Sequence, residues 1–216
     1  MKLHLGCGQV HLDGYVNIDF PPDKHTIQVN SKADEFHDLL SLRYKKESIN
    51  EVRLHHVYEH FTRPVSLALL ASWHSWLKIG GEIHIEVPDF DRTAKVALNR
   101  LTSENNKMVA LRHIFGSNEA DWATHYEGWN AARLRKVYEL AGFEVVREIK
   151  SSYKATRNIA LIGRKTSTTA TPKQLHEKAE TYLANFLVAR DDPMEKHLLS
   201  VWLDMFDSQL SKTIAK

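Results

Sequence analysis

Short runs of β-type residues alternate with stretches of helical periodicity, and this alternation restricts the possible folds most strongly. The β-type runs are, in order, KLHL, YVNID, TIQVN, NEVRLHH, GEIHIEV, FEVVREI and IALIGR. A helical pattern from Pro64 to the glycines at 80 and 81 separates the fourth run from the fifth, and NAARLRKVYELAGF leads into the sixth. The alternation predicts an open α/β sheet, in which ligands bind at the carboxyl ends of the strands.

Two features differ from a parallel sheet that is covered on both faces. Apolar and polar residues alternate at 3–5 (LHL) and at 83–87 (IHIEV), whereas strands buried on both faces are continuously apolar. Nine residues separate Leu5 from Tyr15, fewer than the roughly twelve that a helical crossover needs. We therefore expect the first connecting helix to be reduced to a turn, with one sheet face partly uncovered or covered by another segment.

The C-terminal residues 167–216 are the candidate for that cover. After the polar STTATP, one helical face is marked by Leu175, Ala179, Tyr182, Phe186 and Ala189. After DDP, a second amphipathic helix is marked by Met194, Leu198, Val201, Trp202 and Met205. We expect a helical extension that packs on the domain formed by residues 1–166. The alternative is a surface for a homodimer or another partner.

The composition is that of an ordinary globular protein and excludes several classes. The chain of 216 residues is long enough for one well-buried domain with an appendage. Its 29 basic and 27 acidic residues leave a formal charge of +2, which is too small for the basic surface that nucleic-acid-binding proteins carry. One cysteine excludes internal disulfides, and the apolar runs are too short for a membrane span. Because the N-terminus also lacks the pattern of a signal peptide, we expect a cytoplasmic protein.

A glycine pair, Gly6-Cys7-Gly8, directly follows the first β-type run. Glycine has no side chain, so the backbone can approach a ligand closely at this point. Asp19 ends the second run, where a carboxylate can accept both hydroxyls of a ribose. The third glycine of the dinucleotide fingerprint is absent, which disfavours a bound pyrophosphate.

This stretch, LHLGCG followed by GYVNID, resembles the first motif of class I S-adenosylmethionine-dependent methyltransferases. Further matches follow in the family's order over residues 2–165: FHDLLSL, LHHVYEHF, LKIGGEIHIEVPDFD and YELAGFEVV. More narrowly, VPDFD, RHIFGS and HYEGW resemble small methyltransferases encoded with bacterial polysaccharide-biosynthesis genes. The resemblance implies a Rossmann-like sheet, mostly parallel with an antiparallel strand near the edge, and S-adenosylmethionine as the cofactor.

The resemblance also implies which residues contact the cofactor. They are Gly6, Cys7, Gly8, Asp19, Asp38, Leu39 and His55. Within this set Asp38 and Leu39 would border the adenine. The sequence departs from the family at His4, which replaces an acid that often precedes the glycine motif. The Asn/Asp-Pro-Pro-aromatic signature is missing after the fourth strand, which favours a hydroxyl of a saccharide or related small molecule over an amine.

Methyl transfer is an in-line displacement, so donor and acceptor must be held in line, and a hydroxyl acceptor must also lose its proton. Histidine titrates near neutrality and suits that role. We expect His56 or His125 to act as the base, with Asp89 as an orienting or basic carboxylate. The connection 91–129 mixes aromatic and basic residues, which suits a sugar ring or a phosphorylated carrier. A surface loop anchored in the core by its tryptophans is an equally good interpretation.

The stretch HVYEH, residues 56–60, also matches the HxxEH pattern of zinc hydrolases. In a helix, His56 and His60 would share one face and hold zinc beside Glu59. Our main interpretation contains no metal, and Glu59 and His60 then stabilise a helix start. Two further hypotheses stay open: a divalent metal held by these three residues to position the acceptor, and a cofactor-binding fold that no longer catalyses and acts as a scaffold.

Overall fold

The computed structural model describes residues 1–21 and 30–215. Within these ranges one sheet contains β1 (Lys2–Leu5), β2 (Val16–Asp19), β3 (Glu35–Phe36), β4 (Ile49–His55), β5 (Leu77–Pro88), β6 (Phe143–Tyr153) and β7 (Thr156–Lys165). Their order is β3-β2-β1-β4-β5-β7-β6. The pairs among β1 to β5 are parallel, while β7 is antiparallel to both neighbours. The predicted Rossmann-like sheet with an antiparallel strand near one edge is confirmed.

The helices are α1 (Arg63–Trp76), α2 (Phe90–Leu98), α3 (Glu104–Phe115), α4 (Ala131–Ala141), α5 (Pro172–Leu183) and α6 (Pro193–Thr213). As predicted, a proline lies in the first turn of α1, and Gly142 ends α4 in the left-handed conformation. In the described part of the chain, no helix has the length and apolar character needed to cross a bilayer.

One predicted boundary is wrong, and one predicted strand lies almost wholly outside the described residues. The glycines at 80 and 81 do not end α1, because the chain passes from Trp76 straight into β5. A Cβ at Gly81 would lie 2.9 Å from the carbonyl oxygen of Lys78 and 3.0 Å from that of Asn50, so close backbone approach requires this glycine. The run TIQVN lies outside the described residues except for its last member, and the third strand is Glu35–Phe36.

The first connection, residues 6–15, contains turns and no helix, as its length predicted. The amides of Gly6 and Cys7 both donate to the carbonyl oxygen of Ile18, at 2.8 and 3.0 Å. The side chain of Asn17 accepts from the Leu12 amide at 2.9 Å and donates to the Leu12 carbonyl at 3.1 Å. These bonds fix the short loop against β2 without a helix.

The two faces of the sheet differ in polarity. Leu3, Val52 and Ile83 are neighbours in register on one face and belong to the same buried core as the apolar residues of α1 and α4. The opposite face carries a polar row that crosses four strands in register: Lys2, Glu51, Glu82 and Arg164. Ion pairs join its ends, at 2.9 Å between Lys2 and Glu51 and at 2.8 Å between Arg164 and Glu82. The alternation in the sequence therefore reflects a sheet whose apolar core lies on one side.

The C-terminal helices pack on α1 and α4, and not on the polar sheet face for which the sequence suggested them. Thr213 of α6 receives a hydrogen bond from the Trp76 indole at its carbonyl oxygen, and its hydroxyl lies 2.8 Å from that of Ser72. Phe206 and Leu210 are buried in this interface. The helical extension is thus confirmed, whereas its division from residues 1–166 as a separate domain stays a prediction.

The apolar stripe that identified α6 in the sequence is mostly exposed. Met194, Leu198, Val201 and Met205 face solvent, and the buried contacts come from the last two turns. With 21 residues against 14, about 32 and 21 Å of helix, α6 also extends beyond α1. Association of two copies through these helices stays a prediction.

His74, in α1, gives a testable pH dependence of stability. It is fully buried, with Nδ1 2.8 Å from the Thr169 hydroxyl and Nε2 3.2 Å from the Gly142 carbonyl oxygen. Burial and then the charge of Lys165 lower the pKa of His74 to about 4. The unfolded chain therefore binds a proton that the folded chain does not, so this contribution to stability is complete above about pH 6.5 and is lost as the pH falls towards 4.

Through His74 alone, we expect the free energy of unfolding to fall by roughly 1.4 kcal/mol for each unit by which the pH is lowered within this window. Urea unfolding at several pH values between 4.5 and 7 gives the slope of the free energy of unfolding against pH. This slope should be smaller in His74→Asn than in the wild type, by the equivalent of about one proton. His197→Asn, at an exposed histidine of α6, is the matched control and should keep the wild-type slope. Equal slopes in wild type and His74→Asn would contradict the assignment.

Candidate active site

The loop after β1 brings the backbone close to the segment that follows β4. Gly6 and Gly8 have positive φ angles of 68° and 54°. A Cβ at Gly6 would overlap the Val57 side chain, so only glycine fits there. Between them, burial raises the pKa of the Cys7 thiol to about 11, which keeps it protonated and unreactive at neutral pH. The loop is therefore a backbone surface with Cys7 filling the turn.

The carboxylate of Asp19 is held in a defined orientation at the end of β2. Its Oδ1 accepts from the Phe20 amide at 2.9 Å, and its Oδ2 accepts from the Ser31 hydroxyl at 2.7 Å. Asp19 is 5% exposed. Such a fixed, mostly dry carboxylate can accept further strong hydrogen bonds from ligand hydroxyls.

Two adjoining cavities lie at the carboxyl ends of the strands. The first, called here the main cavity, has about 380 Å³, and its wall includes Gly6, Asp19, Asp38, Leu39 and His56. The second, called the glycine-loop cavity, has about 410 Å³, and its wall includes Gly6, Cys7, Gly8, His55 and His56. Every residue that the resemblance implied for cofactor binding therefore lines one of the two. Gly6 and His56 line both.

The far end of the main cavity is aromatic. Phe61, Trp122 and Tyr126 line it. The last two belong to the long connection that the sequence singled out, although no residue-level signal distinguished them from Trp129. Trp129 is buried and stacks on Tyr58 with ring centroids 4.9 Å apart. Trp129 therefore anchors the connection in the core while Trp122 and Tyr126 reach the cavity, and a site there for a sugar or a phosphorylated carrier stays a prediction.

His56 occupies a strained position between the two cavities. It has a positive φ of 55° without being glycine, and its amide donates to the Glu86 carbonyl oxygen at 2.9 Å. Its Nδ1 lies 3.3 Å from Oε1 of Glu59, and its Nε2 lies 3.7 Å from Oε1 of Glu86. Burial lowers the pKa of His56, but the hydrogen bond to Glu59 and the charges of both glutamates raise it more. The side chain is 40% exposed and so accessible to a ligand.

Two other predicted catalytic residues lie outside both cavity walls. Asp89 is buried as the N-cap of α2, where its Oδ1 accepts from the Arg92 amide at 3.2 Å. This contact gives Asp89 a structural role. His125 packs behind His60 with ring centroids 4.7 Å apart, and burial lowers its pKa. Neither lines a cavity wall, and their catalytic roles stay predictions.

His55 lies on the polar face of the sheet. The guanidinium Nε of Arg53 donates to its Nε2 at 3.0 Å, and its ring lies 5.1 Å from that of His84. Burial and then the charge of Arg53 lower the pKa of His55 to about 3, so it is neutral at physiological pH. It can contact a ligand in the glycine-loop cavity as a neutral side chain.

The helical zinc-hydrolase interpretation of HVYEH is wrong. Tyr58–His60 form a single 3-10 turn, and His56 precedes it in the left-handed conformation, so the two histidines do not share a helical face. Nor do Glu59 and His60 cap α1, whose N-cap is Thr62. Instead Glu59, His60 and His125 offer ligand atoms within 4.8 Å of one another. The metal hypothesis from the sequence named Glu59 and His60 together with His56. In the structure the third residue of the cluster is His125.

Comparisons with known proteins identify the fold. No protein-family model and no curated protein matches the sequence, whereas 423 chains of solved structures match. One belongs to a complex between the Haloferax volcanii Trm112 methyltransferase activator and a methyltransferase. It is 14% identical, with a TM-score of 0.54 over 79% of this chain and 83% of that one.

Two other matches are named for the cofactor or contain its product. A SAM-dependent methyltransferase from Methanosarcina mazei is 13% identical, with a TM-score of 0.51 over 76% of this chain and 91% of that one. The Burkholderia thailandensis 1,6-didemethyltoxoflavin-N1-methyltransferase, with bound S-adenosylhomocysteine, is 14% identical, with a TM-score of 0.50 over 77% and 71%. The chain thus has the fold of the class I S-adenosylmethionine-dependent methyltransferases. At 13–14% identity these likenesses establish the fold alone, so the activity must be argued from the site.

Proposed function

We propose that the protein is an S-adenosylmethionine-dependent methyltransferase that methylates a hydroxyl oxygen of a saccharide or related small molecule. One observation carries the proposal. The carboxylate of Asp19 and the histidine His56 line the same cavity, which Gly6 joins to the glycine-loop cavity. A ligand that occupies both cavities would contact the Asp19 carboxylate, which can bind a ribose, and the His56 side chain, which can accept a proton.

The cofactor fits this wall in three parts. Asp38 and Leu39 border the adenine, Asp19 accepts the two ribose hydroxyls, and the methionine part lies along the backbone of the glycine loop. A buried, hydrogen-bonded carboxylate binds such hydroxyls strongly. The glycines matter here because side chains at these positions would occupy the space of the ligand.

The acceptor is then placed at the aromatic end of the main cavity. Phe61, Trp122 and Tyr126 offer apolar ring faces with a polar tip on the last two, which suits the apolar face of a sugar and its hydroxyls. The missing amine signature and the motifs shared with polysaccharide-associated methyltransferases point in the same direction. Aromatic side chains that line a cavity with a few polar groups are also typical of sites for other small molecules.

The reaction requires one displacement and one proton transfer. A lone pair of the acceptor oxygen attacks the sulfonium methyl carbon, the carbon–sulfur bond breaks, and its electron pair remains on sulfur as S-adenosylhomocysteine. Neutral His56 donates Nδ1–H to Glu59, which leaves Nε2 to take the hydroxyl proton. The charges of Glu59 and Glu86 stabilise the imidazolium that forms.

Calorimetry and product detection test the function. We expect the purified chain to bind S-adenosylmethionine and S-adenosylhomocysteine, and to form S-adenosylhomocysteine when a panel of saccharides and nucleotide sugars is added. A chain that binds neither cofactor form would contradict the proposal. Binding without turnover on any acceptor would favour the rival function, a scaffold protein. The exposed apolar stripe of α6 is the feature that speaks for that rival.

His56→Gln should lower the turnover number about 100-fold, within the range that a positioned general base contributes. The dissociation constant of S-adenosylmethionine should change less than twofold, because the substitution keeps the backbone and most of the side-chain volume. His197→Gln, far from both cavities in the sequence and exposed on α6, is the control for loss of a histidine. Unchanged turnover in His56→Gln would remove this residue from the proton transfer.

A further inference from the structure

The carboxylate of Glu59 is buried with one oxygen lacking a partner. Glu59 is 1% exposed, and its Oε1 lies 3.3 Å from Nδ1 of His56. Within residues 1–21 and 30–215, no hydrogen-bond partner reaches its Oε2, although that atom is buried. Buried carboxylates are paired, hydrogen-bonded or bound to a metal, because an uncompensated negative charge is costly in the interior. The free oxygen therefore indicates a cation that completes the site.

Two histidines are arranged beside Glu59 as metal ligands are. The Nδ1 of His60 donates to the Thr124 carbonyl oxygen at 3.2 Å, so its Nε2 keeps a free lone pair. The Nε2 of His125 lies 3.9 Å from Oε1 of Glu59, while the same ring hydrogen-bonds the backbone of Ile114. A metal-binding histidine characteristically uses one ring nitrogen for the metal and holds the other by a backbone carbonyl or carboxylate.

We propose that Glu59, His60 and His125 bind one divalent transition-metal ion of the Zn²⁺ type. The donor set of two imidazoles and one carboxylate suits such ions better than Mg²⁺ or Ca²⁺, which prefer oxygen ligands. The three ligand atoms lie within 4.8 Å of one another. Two ligands about 2.1 Å from one tetrahedral ion are roughly 3.4 Å apart, so side-chain movements that shorten the ligand–ligand distances by up to about 1.4 Å close the site.

Three protein ligands leave a coordination position for a water molecule or a substrate oxygen. His60 lines the main cavity, so that position faces the space in which we place the acceptor. This part of the inference rests on the proposed function. A hydroxyl bound to the ion would have a lowered pKa and a fixed orientation, which would ease its deprotonation by the neighbouring His56. In that arrangement the Glu59 carboxylate would hold the ion and, through Oε1, the ring of His56.

Metal binding is measured directly and without methyl transfer. The full-length protein is stripped with a chelator, and Zn²⁺ is titrated in competition with a chromophoric chelator. We expect one equivalent to bind to the wild type and a rise in Tm on binding. Glu59→Gln and His125→Ala should each weaken binding at least 100-fold and abolish the rise in Tm. His197→Ala controls for the loss of a surface histidine and should bind as the wild type does.

Three outcomes would overturn the site. The wild type does not bind one equivalent of Zn²⁺, or Glu59→Gln and His125→Ala bind Zn²⁺ as tightly as the wild type, or His197→Ala loses as much Zn²⁺ affinity as those two variants. Circular dichroism of each variant identifies misfolding, and His60→Ala is the substitute if Glu59→Gln does not fold. The affinity for S-adenosylmethionine is measured on the same stripped protein. Cofactor binding without metal binding defeats the metal site alone, and metal binding without cofactor binding defeats the proposed function alone.

Discussion

Asp19→Ala is expected to weaken binding of S-adenosylmethionine at least 100-fold. Each charge-assisted hydrogen bond from a ribose hydroxyl contributes roughly 1.5–3 kcal/mol, and the substitution removes two of them. In the free protein the carboxylate is already oriented by the Phe20 amide and the Ser31 hydroxyl, so no ordering cost offsets the binding. Isothermal titration calorimetry with S-adenosylmethionine and with S-adenosylhomocysteine measures the effect.

The matched control for this carboxylate is Asp13→Ala. Asp13 lies in the same loop system, but its side chain is fully exposed, and its loss should leave the affinity within twofold of the wild type. Because Asp19 also supports its own loop, the Tm of the variant must be measured beside its affinity. A stable Asp19→Ala protein that binds the cofactor as tightly as the wild type would refute the assignment of the ribose site.

Gly6→Ala should remove cofactor binding and also destabilise the protein. Alanine is disfavoured at a φ of 68°, and its Cβ would overlap the Val57 side chain. The two effects together should lower the free energy of unfolding by about 2–3 kcal/mol. The loop must shift to relieve the overlap, which displaces the backbone that the ligand would contact. We expect the affinity for S-adenosylmethionine to fall more than 100-fold.

Gly14→Ala separates the effect of backbone strain from the effect of the overlap with Val57. Gly14 also has a positive φ, 81°, but a Cβ there would meet nothing within 4 Å. It should therefore show the backbone strain alone, about 1 kcal/mol of stability, and bind the cofactor normally. If Gly6→Ala behaves like Gly14→Ala in both urea unfolding and calorimetry, the close contact between the loop and Val57 is not important for binding.

The sequence predicted the fold and the near wall of the site because both depend on local patterns. Strands and helices follow from periodicity, and the carboxyl ends of parallel strands meet at one edge of the sheet. Gly6 directly follows β1 and Asp19 ends β2, so their convergence followed from strand order, whereas Asp38 was placed by the family resemblance. The absence of the first helix followed from the short distance between two strands.

The far wall and the metal-like cluster did not follow from local patterns. His125 belongs to the connection 91–129 and Asp89 lies just before it, and the path of this segment over the sheet depends on tertiary packing. Nothing in the sequence indicates that His125 lies beside His60. Periodicity likewise identified an apolar stripe on α6, but it carries no information on whether a neighbour is long enough to cover that stripe.

The one-sided core of the sheet also bears on how such a chain can diverge. Substitutions in the row that contains Leu3, Val52 and Ile83 would create cavities or overpacking in the interior. The polar row from Lys2 to Arg164 is held by surface ion pairs, which contribute little to stability. The same strands therefore combine one surface on which substitutions are costly with another on which they cost little, while the loops at the strand ends carry the cavities.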